Sequence, residues 1–308
     1  MKEAQGKKLG LQTSLKKHWF IYLLVLPGLL YVLLFRYVPM YGILIAFQDY
    51  RPRRGVLGSD FVGFKHFINL FSDPYFFKVI WNTFIINVYG IVFGFTFTIF
   101  LALMLNELMS SKLKRVLQTL VYLPNFLSWI IFGGIIILFL SPSEGLVNGI
   151  IKAFGGKETY FLIEQDYFRT IVTVTNIIKN AGFGTIIYLA ALASVDQQQY
   201  ESATIDGANR RHMMLHITLP AIYPTIAVML LMNLAGIFSA NFEHIYTLYN
   251  PLVYETGDVI PTYLYRMGLE KGEYEISTAV SLVFNIIGLI TLVIANKIIK
   301  KMNVVGIV

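Results

Sequence analysis

The stretch YESATIDGANRRHMMLHITLPAIYPT (residues 200–225) carries two acids, two arginines, two histidines and a mid-run glycine before it turns apolar at Leu-Pro. It follows TIVTVTNIIKNAGFGTIIYLAALASV (170–195), which is long and apolar enough to cross a bilayer. Its polarity has an order. Asp196 precedes Gln197, Gln198 and Gln199, so an acidic N-cap with Gln at N3 can satisfy the free amide donors of a starting helix. Helix-compatible residues run to Asp206, and Gly207 can then take a left-handed cap without a Cβ penalty. A second short helix is expected from about 208 to 216, with Pro220 tolerated in the first turn of the next span. The reading is a helix–turn–helix elbow on one membrane face, a rigid polar knob suited to a groove on another protein.

Composition supports the membrane setting. Of 308 residues, 56% are hydrophobic and only 14% charged, too few charges to cover the surface of a soluble domain of this length. Mean hydropathy is +0.62. The net charge of +7 would invite a nucleic-acid partner in a soluble protein. Here Lys7, Lys8, Lys16 and Lys17, then Lys112, Lys114 and Arg115, then Lys297, Lys300 and Lys301 sit at span edges, as on cytoplasmic loops, so no nucleic acid is implied. The absence of cysteine excludes disulfides, zinc thiolate sites and cysteine catalysis.

Six transmembrane helices are expected at about 19–38, 79–106, 116–140, 169–192, 219–241 and 276–299, giving an all-α membrane protein. The basic N-terminus and the run from Trp19 to Phe35 read as an uncleaved first span, because no small-x-small cleavage site follows. With the N-terminus inside, 13 Lys and Arg fall inside and 11 outside, Lys179 lying within a span. The margin is small, but the three tight basic clusters fall inside, which favours N-in and C-in. The expected organisation is an N-terminal tail, first span and outer loop (1–78), a five-helix core (79–299) with an inner loop at 194–218, and a short tail (300–308). The outer loops around FQDYRPRRGVLGSDFVGFKHFINLFSDPYF (47–76) and NPLVYETGDVIPTYLYRMGLEKGEYE (250–275) are rich in aromatics, which gather at membrane interfaces simply as anchors.

The elbow resembles a known pattern. Permeases of bacterial ATP-binding-cassette importers carry a cytoplasmic loop of the form Glu-Ala-Ala, three residues, Gly, nine residues, Ile-x-Leu-Pro. Here Glu201, Ser202 and Ala203 precede three residues and Gly207, and nine residues later come Ile217, Thr218, Leu219 and Pro220. Ser202 is the one departure. ESATIDGANR, PGLLYVLLFRYVPMYGILIAFQDY, YLAALASVD and YNPLVYETGDVIPTYLYRMGL further resemble the carbohydrate (oligosaccharide, LplB-like) branch, over nearly the whole chain. The resemblance implies a type I importer (MetI-like) transmembrane domain in the bacterial cell membrane. It also implies a second permease subunit that is a different chain, a dimer of ATP-binding subunits, an extracellular solute-binding protein and a carbohydrate cargo. In that picture Glu201 contacts the ATPase, Ala203 packs closely on it, Gly207 sets the bend between the two short helices, and Ser202, Asp206, Ile217, Leu219 and Pro220 complete the coupling loop. Arg210 and Arg211 pair either with acids of the partner or with lipid headgroups.

No Gly-x-x-x-x-Gly-Lys-Ser/Thr loop is present, and GGKE (155–158) lacks its spacing and its hydroxyl. The chain is therefore expected to be non-catalytic and to bind no cofactor, with ATP and magnesium held by the partner ATPase. Inside the spans, Lys179 costs roughly 2.5–3.5 kcal/mol at mid-membrane and must face protein or water. Asn176 and Asn180, at i and i+4, lie beside it and read as a polar stripe along a translocation path, the alternative being an inter-helix clamp or a pair to Glu243. Asn233 and Asn241 read as one face of span five, with Phe242 and Glu243 at its outer mouth, where an aromatic can stack on a sugar ring. Asn82, Asn87 and Asn285 read as plain helix–helix hydrogen bonds. Two rival classes find little support. An ion-driven secondary transporter needs a carboxylate or a broken helix at membrane depth, often with inverted repeats, and the sequence shows no mid-span Asp or Glu and no second half resembling the first. A membrane enzyme needs a metal or acid–base cluster, and His212 and His216, at i and i+4, have no His-Glu-x-x-His companion.

Overall fold

The computed structural model describes the backbone of residues 11–301 and the side chains of residues 18–298. The basic residues Lys7, Lys8, Lys16, Lys17, Lys300 and Lys301 and most of the 300–308 tail lie outside those described side chains. Four unbroken helices are long and apolar enough to cross a membrane: span one (His18–Phe47), span two (Pro74–Asn106), span four (Gln165–Ala193) and span six (Tyr274–Ile298). Two bent pairs supply span three (Ser111–Phe126 with Trp129–Phe139) and span five (Arg210–Ala221 with Tyr223–Ala235). With each pair counted once there are six crossings, an even number that brings the chain back to its starting side.

Span one runs nine residues past its expected end. No polar residue follows until Gln48, and the chain absorbs Pro39 by tightening to 3-10 geometry over Val38–Phe47, where the proline occupies an early position that needs no N–H. Every residue from Trp19 to Tyr41 is exposed, so this helix lies outside the core and only its outer end packs on span six. Span two starts five residues earlier than expected, because Asp73 accepts from the Tyr75 amide and Pro74 holds N1. The intervening outer loop folds into a two-residue antiparallel ribbon, Gln48–Asp49 with Asp60–Phe61, and an amphipathic helix Lys65–Ser72.

Span three is a correction. The expected straight helix over 116–140 is instead broken by a 102° bend. The first half, capped by Ser110, ends in a 3-10 turn through Pro124, and Leu127 and Ser128 are extended. Ser128 then caps the second half by accepting from the Ile131 amide. Span five is the second correction. The helix beginning at Arg210 does not stop near His216; it passes through a π turn at Met214–Thr218 and runs to Ala221. The π turn, in which the Leu219 amide reaches Met214 O, accommodates Pro220 inside a helix. The bend, 59°, falls at Ile222, and Pro224 is the proline that opens the membrane segment.

Span four is the axle of the core, with the largest buried share of the four unbroken spans. Its outer end packs Phe168, Ile171 and Val172 against Ile86, Ile245, Val253 and Val259, and its inner end packs Tyr188 and Leu192 against Ala102 and Ile222. A third cluster joins Phe76, Val79, Ile260, Tyr263 and Val280 at the outer side. The approach of span four to span three depends on Gly182, where an added Cβ would lie 1.9 Å from the Val121 carbonyl oxygen. Gly182→Ala should therefore cost about 1–3 kcal/mol through overpacking against backbone that cannot rotate away. A lowered melting temperature of the purified, detergent-solubilised protein is the measurement that checks it.

Candidate coupling elbow and intramembrane polar site

The first elbow helix, Gln197–Ile205, begins where Asp196 accepts from the Gln198 amide at 3.0 Å. The expected reciprocal bond from Gln199 is not formed. At the other end the Ala208 amide reaches Ala203 O (2.9 Å) and the Gly207 amide reaches Thr204 O (3.1 Å), with Gly207 at φ +77°. That pair of bonds is a Schellman motif, which satisfies the last carbonyls and turns the chain sharply. Nothing lies within 4 Å of where a Gly207 Cβ would stand, so glycine is required here by conformation alone. Asn209 then caps the second helix, accepting from the His212 amide at 2.9 Å.

Two residues that sequence reasoning passed over hold the elbow's angle. Tyr200 Oη and Thr218 Oγ1 are 3.0 Å apart and join the two elbow helices, and Thr218, only 1% exposed, also donates to Met213 O. Glu201, Ser202 and Asp206 are exposed, Ala203 is half-buried, and Ile205 at the tip is 87% exposed. Ile217 and Pro220 are half-buried on the second helix, and Leu219 packs against the inner end of span four. Arg210 and Arg211 are exposed, with Arg210 lying against Met109 of the connection between spans two and three. His212 and His216 stack on each other at 4.0 Å, and no group of three or more metal-ligating side chains exists among the described residues.

Within the membrane, Asn176, Asn180 and Asn233 do meet. They line one cavity of about 230 Å³ between spans two, four and five, together with Asn87, Thr98 and Tyr188. Asn180 Nδ2 donates to Asn176 Oδ1 (2.6 Å), and Asn125 Nδ2 donates to Asn180 Oδ1 (3.1 Å). Asn125 was missed because span three was read as unbroken; the Leu-Pro-Asn-Phe sequence at 123–126 was the available signal.

Lys179 faces elsewhere. It is 4% exposed, and its Nζ donates to the carbonyl oxygens of Pro124 (3.1 Å), Asn125 (3.1 Å) and Leu127 (2.5 Å), those freed where span three breaks. It also lies 5.1 Å from the Trp129 ring centroid. A step of 100° around the helix separates it from Asn180, which turns it from the cavity toward span three. It is the inter-helix clamp, with carbonyls and not Glu243 as its partners. The grouping of Asn241, Phe242 and Glu243 with Asn233 also fails, because span five ends at Ala235. Asn241 instead caps a separate helix, Phe242–Leu248, and Phe242 stacks on Tyr246 (4.9 Å) and lies 5.1 Å from Tyr265. Asn285 is exposed on span six. Asn82 is fully buried and binds the carbonyls of Glu255 and Asp258.

The Tyr-rich outer segment is more than an interfacial anchor. Asp258, fully buried, takes a hydrogen bond from Tyr75 Oη (2.6 Å) and an ion pair from Arg266. Burial alone would lower the Arg266 pKa, but the Asp258 hydrogen bond and charge outweigh it and hold the guanidinium above its usual value. GGKE (155–158) serves as a second Schellman cap, with Gly156 N to Ile151 O at 2.8 Å, and Lys152 pairs with Glu158.

Residues 90–304, more than two thirds of the chain, match the model of the binding-protein-dependent transport system inner membrane component family. The chain belongs to that family. This permease is 43% identical over 301 residues (98% of the chain, 94% of the relative) to the polygalacturonan/rhamnogalacturonan transport system permease protein YteP of Bacillus subtilis strain 168. It is 42% identical over 98% of its length, and 95% of the relative's, to protein LplB of the same organism. Among solved structures it is similar to a chain of a bacterial ABC transporter involved in the import of the acidic polysaccharide alginate. That match has 41% identity and a TM-score of 0.88, and covers 94% of this permease and 98% of that chain. A chain of the bacterial alginate ABC transporter in complex with alginate pentasaccharide-bound periplasmic protein matches with a TM-score of 0.89 at 41% identity, covering 96% and 99% of the two chains.

The clamp and path readings of Lys179 separate experimentally. Lys179→Met leaves the Asn125 and Leu127 carbonyls without a donor, Pro124 O keeping only the Leu127 amide, and should cost about 3 kcal/mol. The melting temperature of the purified permease complex should fall accordingly, with partial recovery in Lys179→Arg. A path-lining lysine would leave melting unchanged and lower transport alone.

Proposed function

We propose that this permease forms half of the pathway of an ATP-driven importer that moves a carbohydrate across the membrane by alternating access. The observation that carries the reading is the elbow. It is a capped, protruding helix hinged at Gly207 and bonded through Tyr200 and Thr218 to a helix that continues into span five. A partner ATPase that grips Glu201, Ser202, Ala203 and the exposed Ile205 therefore pulls on a rigid lever. Closure of an ATPase pair around ATP and magnesium would draw two such elbows together and turn the pathway from inward- to outward-facing. The permease itself is non-catalytic, and a second permease subunit supplies the other half of the pathway.

The cargo reading rests on the Asn-lined cavity and on the relatives. Amide groups both donate and accept, which suits sugar hydroxyls. The relatives are named for polygalacturonan, rhamnogalacturonan and alginate, and one solved neighbour holds a pentasaccharide-bound periplasmic protein. A solute-binding protein would deliver an oligosaccharide to the outer side of this chain. Asn176, Asn180 and Asn233 are the assigned path residues, joined by Asn87, and Asn125 orients Asn180 from behind by donating to its Oδ1.

The test is made on the importer reconstituted with its ATPase, second permease and binding protein. Gly207→Val forces a β-branched residue into left-handed geometry, at a cost of roughly 1–2 kcal/mol or more. Substrate-stimulated ATP hydrolysis should drop to its basal level while membrane insertion is unchanged. Gly207→Asn, which tolerates that geometry better, should retain most of the stimulation. Full stimulation in the valine variant would overturn the coupling role. The ATPase should also co-purify with this chain only when the second permease is present.

A further inference from the structure

We infer that Arg169 reads a carboxylate on the cargo, so that the carbohydrate proposed above is an anionic, uronate-bearing oligosaccharide. The inference rests on that reading of the cargo as a carbohydrate.

Arg169 lies one turn inside the outer end of span four. Its Nη2 donates to Asn82 Oδ1 (2.7 Å) and its Nε to Thr256 O (3.2 Å). Asn82 is pinned in turn by its own bonds to the Glu255 and Asp258 carbonyls, each 3.1 Å, so the guanidinium is held by groups that are themselves fixed. Both partners are neutral. The other half-buried cations on the outer side have carboxylates, Lys78 with Glu255 and Arg266 with Asp258. Arg169 makes no ion pair among the described residues. Its Nη1 has no partner there, yet it is not among the polar atoms sealed from solvent. A half-desolvated guanidinium with an uncommitted edge and no counter-charge is the usual arrangement for taking a carboxylate from outside.

Its position fits the path. Arg169 is seven residues, close to two turns, outward of Asn176 on the same face of span four, so about 10 Å separates the two along the axis. Asn180 follows one turn further in, and both asparagines line the cavity. From the outer side inward, the face presents a guanidinium and then two amides bonded to each other. A sugar ring spans about 5 Å, so a short uronate chain can lay a carboxylate on Arg169 while its hydroxyls meet the asparagines. The built elements are thus a charge reader followed by hydroxyl readers.

The whole importer in nanodiscs, without its binding protein, is titrated with tri-galacturonic acid and with its methyl ester, which removes the charge and keeps the hydroxyls. The acid should bind about tenfold tighter than the ester. Arg169→Gln should erase that difference by weakening the acid alone, and Arg169→Lys should keep part of it. Equal binding of acid and ester to the unaltered importer would overturn the inference while leaving the carbohydrate reading intact. An equal loss for both ligands in Arg169→Gln, with Arg169→Lys no better, would reduce Arg169 to a strut between spans two and four and likewise overturn it. Binding of neither ligand would overturn the carbohydrate reading and this inference together.

Discussion

A backbone carbonyl freed inside a bilayer has no water to turn to, and this fold is organised around meeting that constraint. Span three breaks at Leu127 and Ser128, and one lysine from span four answers three of the exposed carbonyls. Much hangs on the clamp. Holding the break in place sets Asn125 against Asn180, one of the amides that line the cavity. It also seats Trp129 under the His244 ring at 3.9 Å, while His244 bonds Thr175 of span four at 2.8 Å. The segment after span five is thereby fixed to the axle helix. A cation that is expensive at mid-membrane offsets its cost because the C-terminal end of the first half of span three carries partial negative charge.

The same constraint explains what the sequence showed and what it hid. Apolar length located the four unbroken spans and both bent pairs, since hydrophobic runs are written locally. The elbow was legible for the same reason: Asp196, Gly207 and the run to Pro220 act within a few residues of themselves. The breaks were not legible. Whether Pro124 kinks a span or ends it depends on a donor 55 residues away, and a single residue type such as Lys179 does not announce whether it faces a cavity or a carbonyl. Nor does Pro220 reveal that a π turn will carry it inside a helix. Asn241 reads as part of span five because the apolar run continues past Gly236 through Ile237 and Phe238 and masks the stop that the glycine signals, and the Asn cap that follows has the same composition as a span-facing amide.

Mechanically, the two corrections to the spans support one picture. The elbow is not a loop tied between two helices. Its second helix continues to Ala221 and meets the membrane segment at a single bend, so a displacement at Ile205 would be carried through the Tyr200–Thr218 bond into span five. Span five in turn lines the Asn cavity through Met229 and Asn233. The proposed lever and the proposed pathway therefore share a helix. On the outer side, the buried Asp258–Arg266–Tyr75 cluster holds the segment before span six against the start of span two, giving the moving parts a fixed frame.

The central claim, that an ATPase grips the elbow, is open to direct test because this chain contains no cysteine and an introduced one can be labelled alone before the importer is assembled. Ile205→Cys, carrying a photoactivatable maleimide in the assembled importer, should crosslink to the ATPase subunit. The same probe at Leu57, 97% exposed on the outer loop, should not. Labelling from position 205 that reaches only lipid or the other permease, or equal ATPase labelling from position 57, would contradict the account.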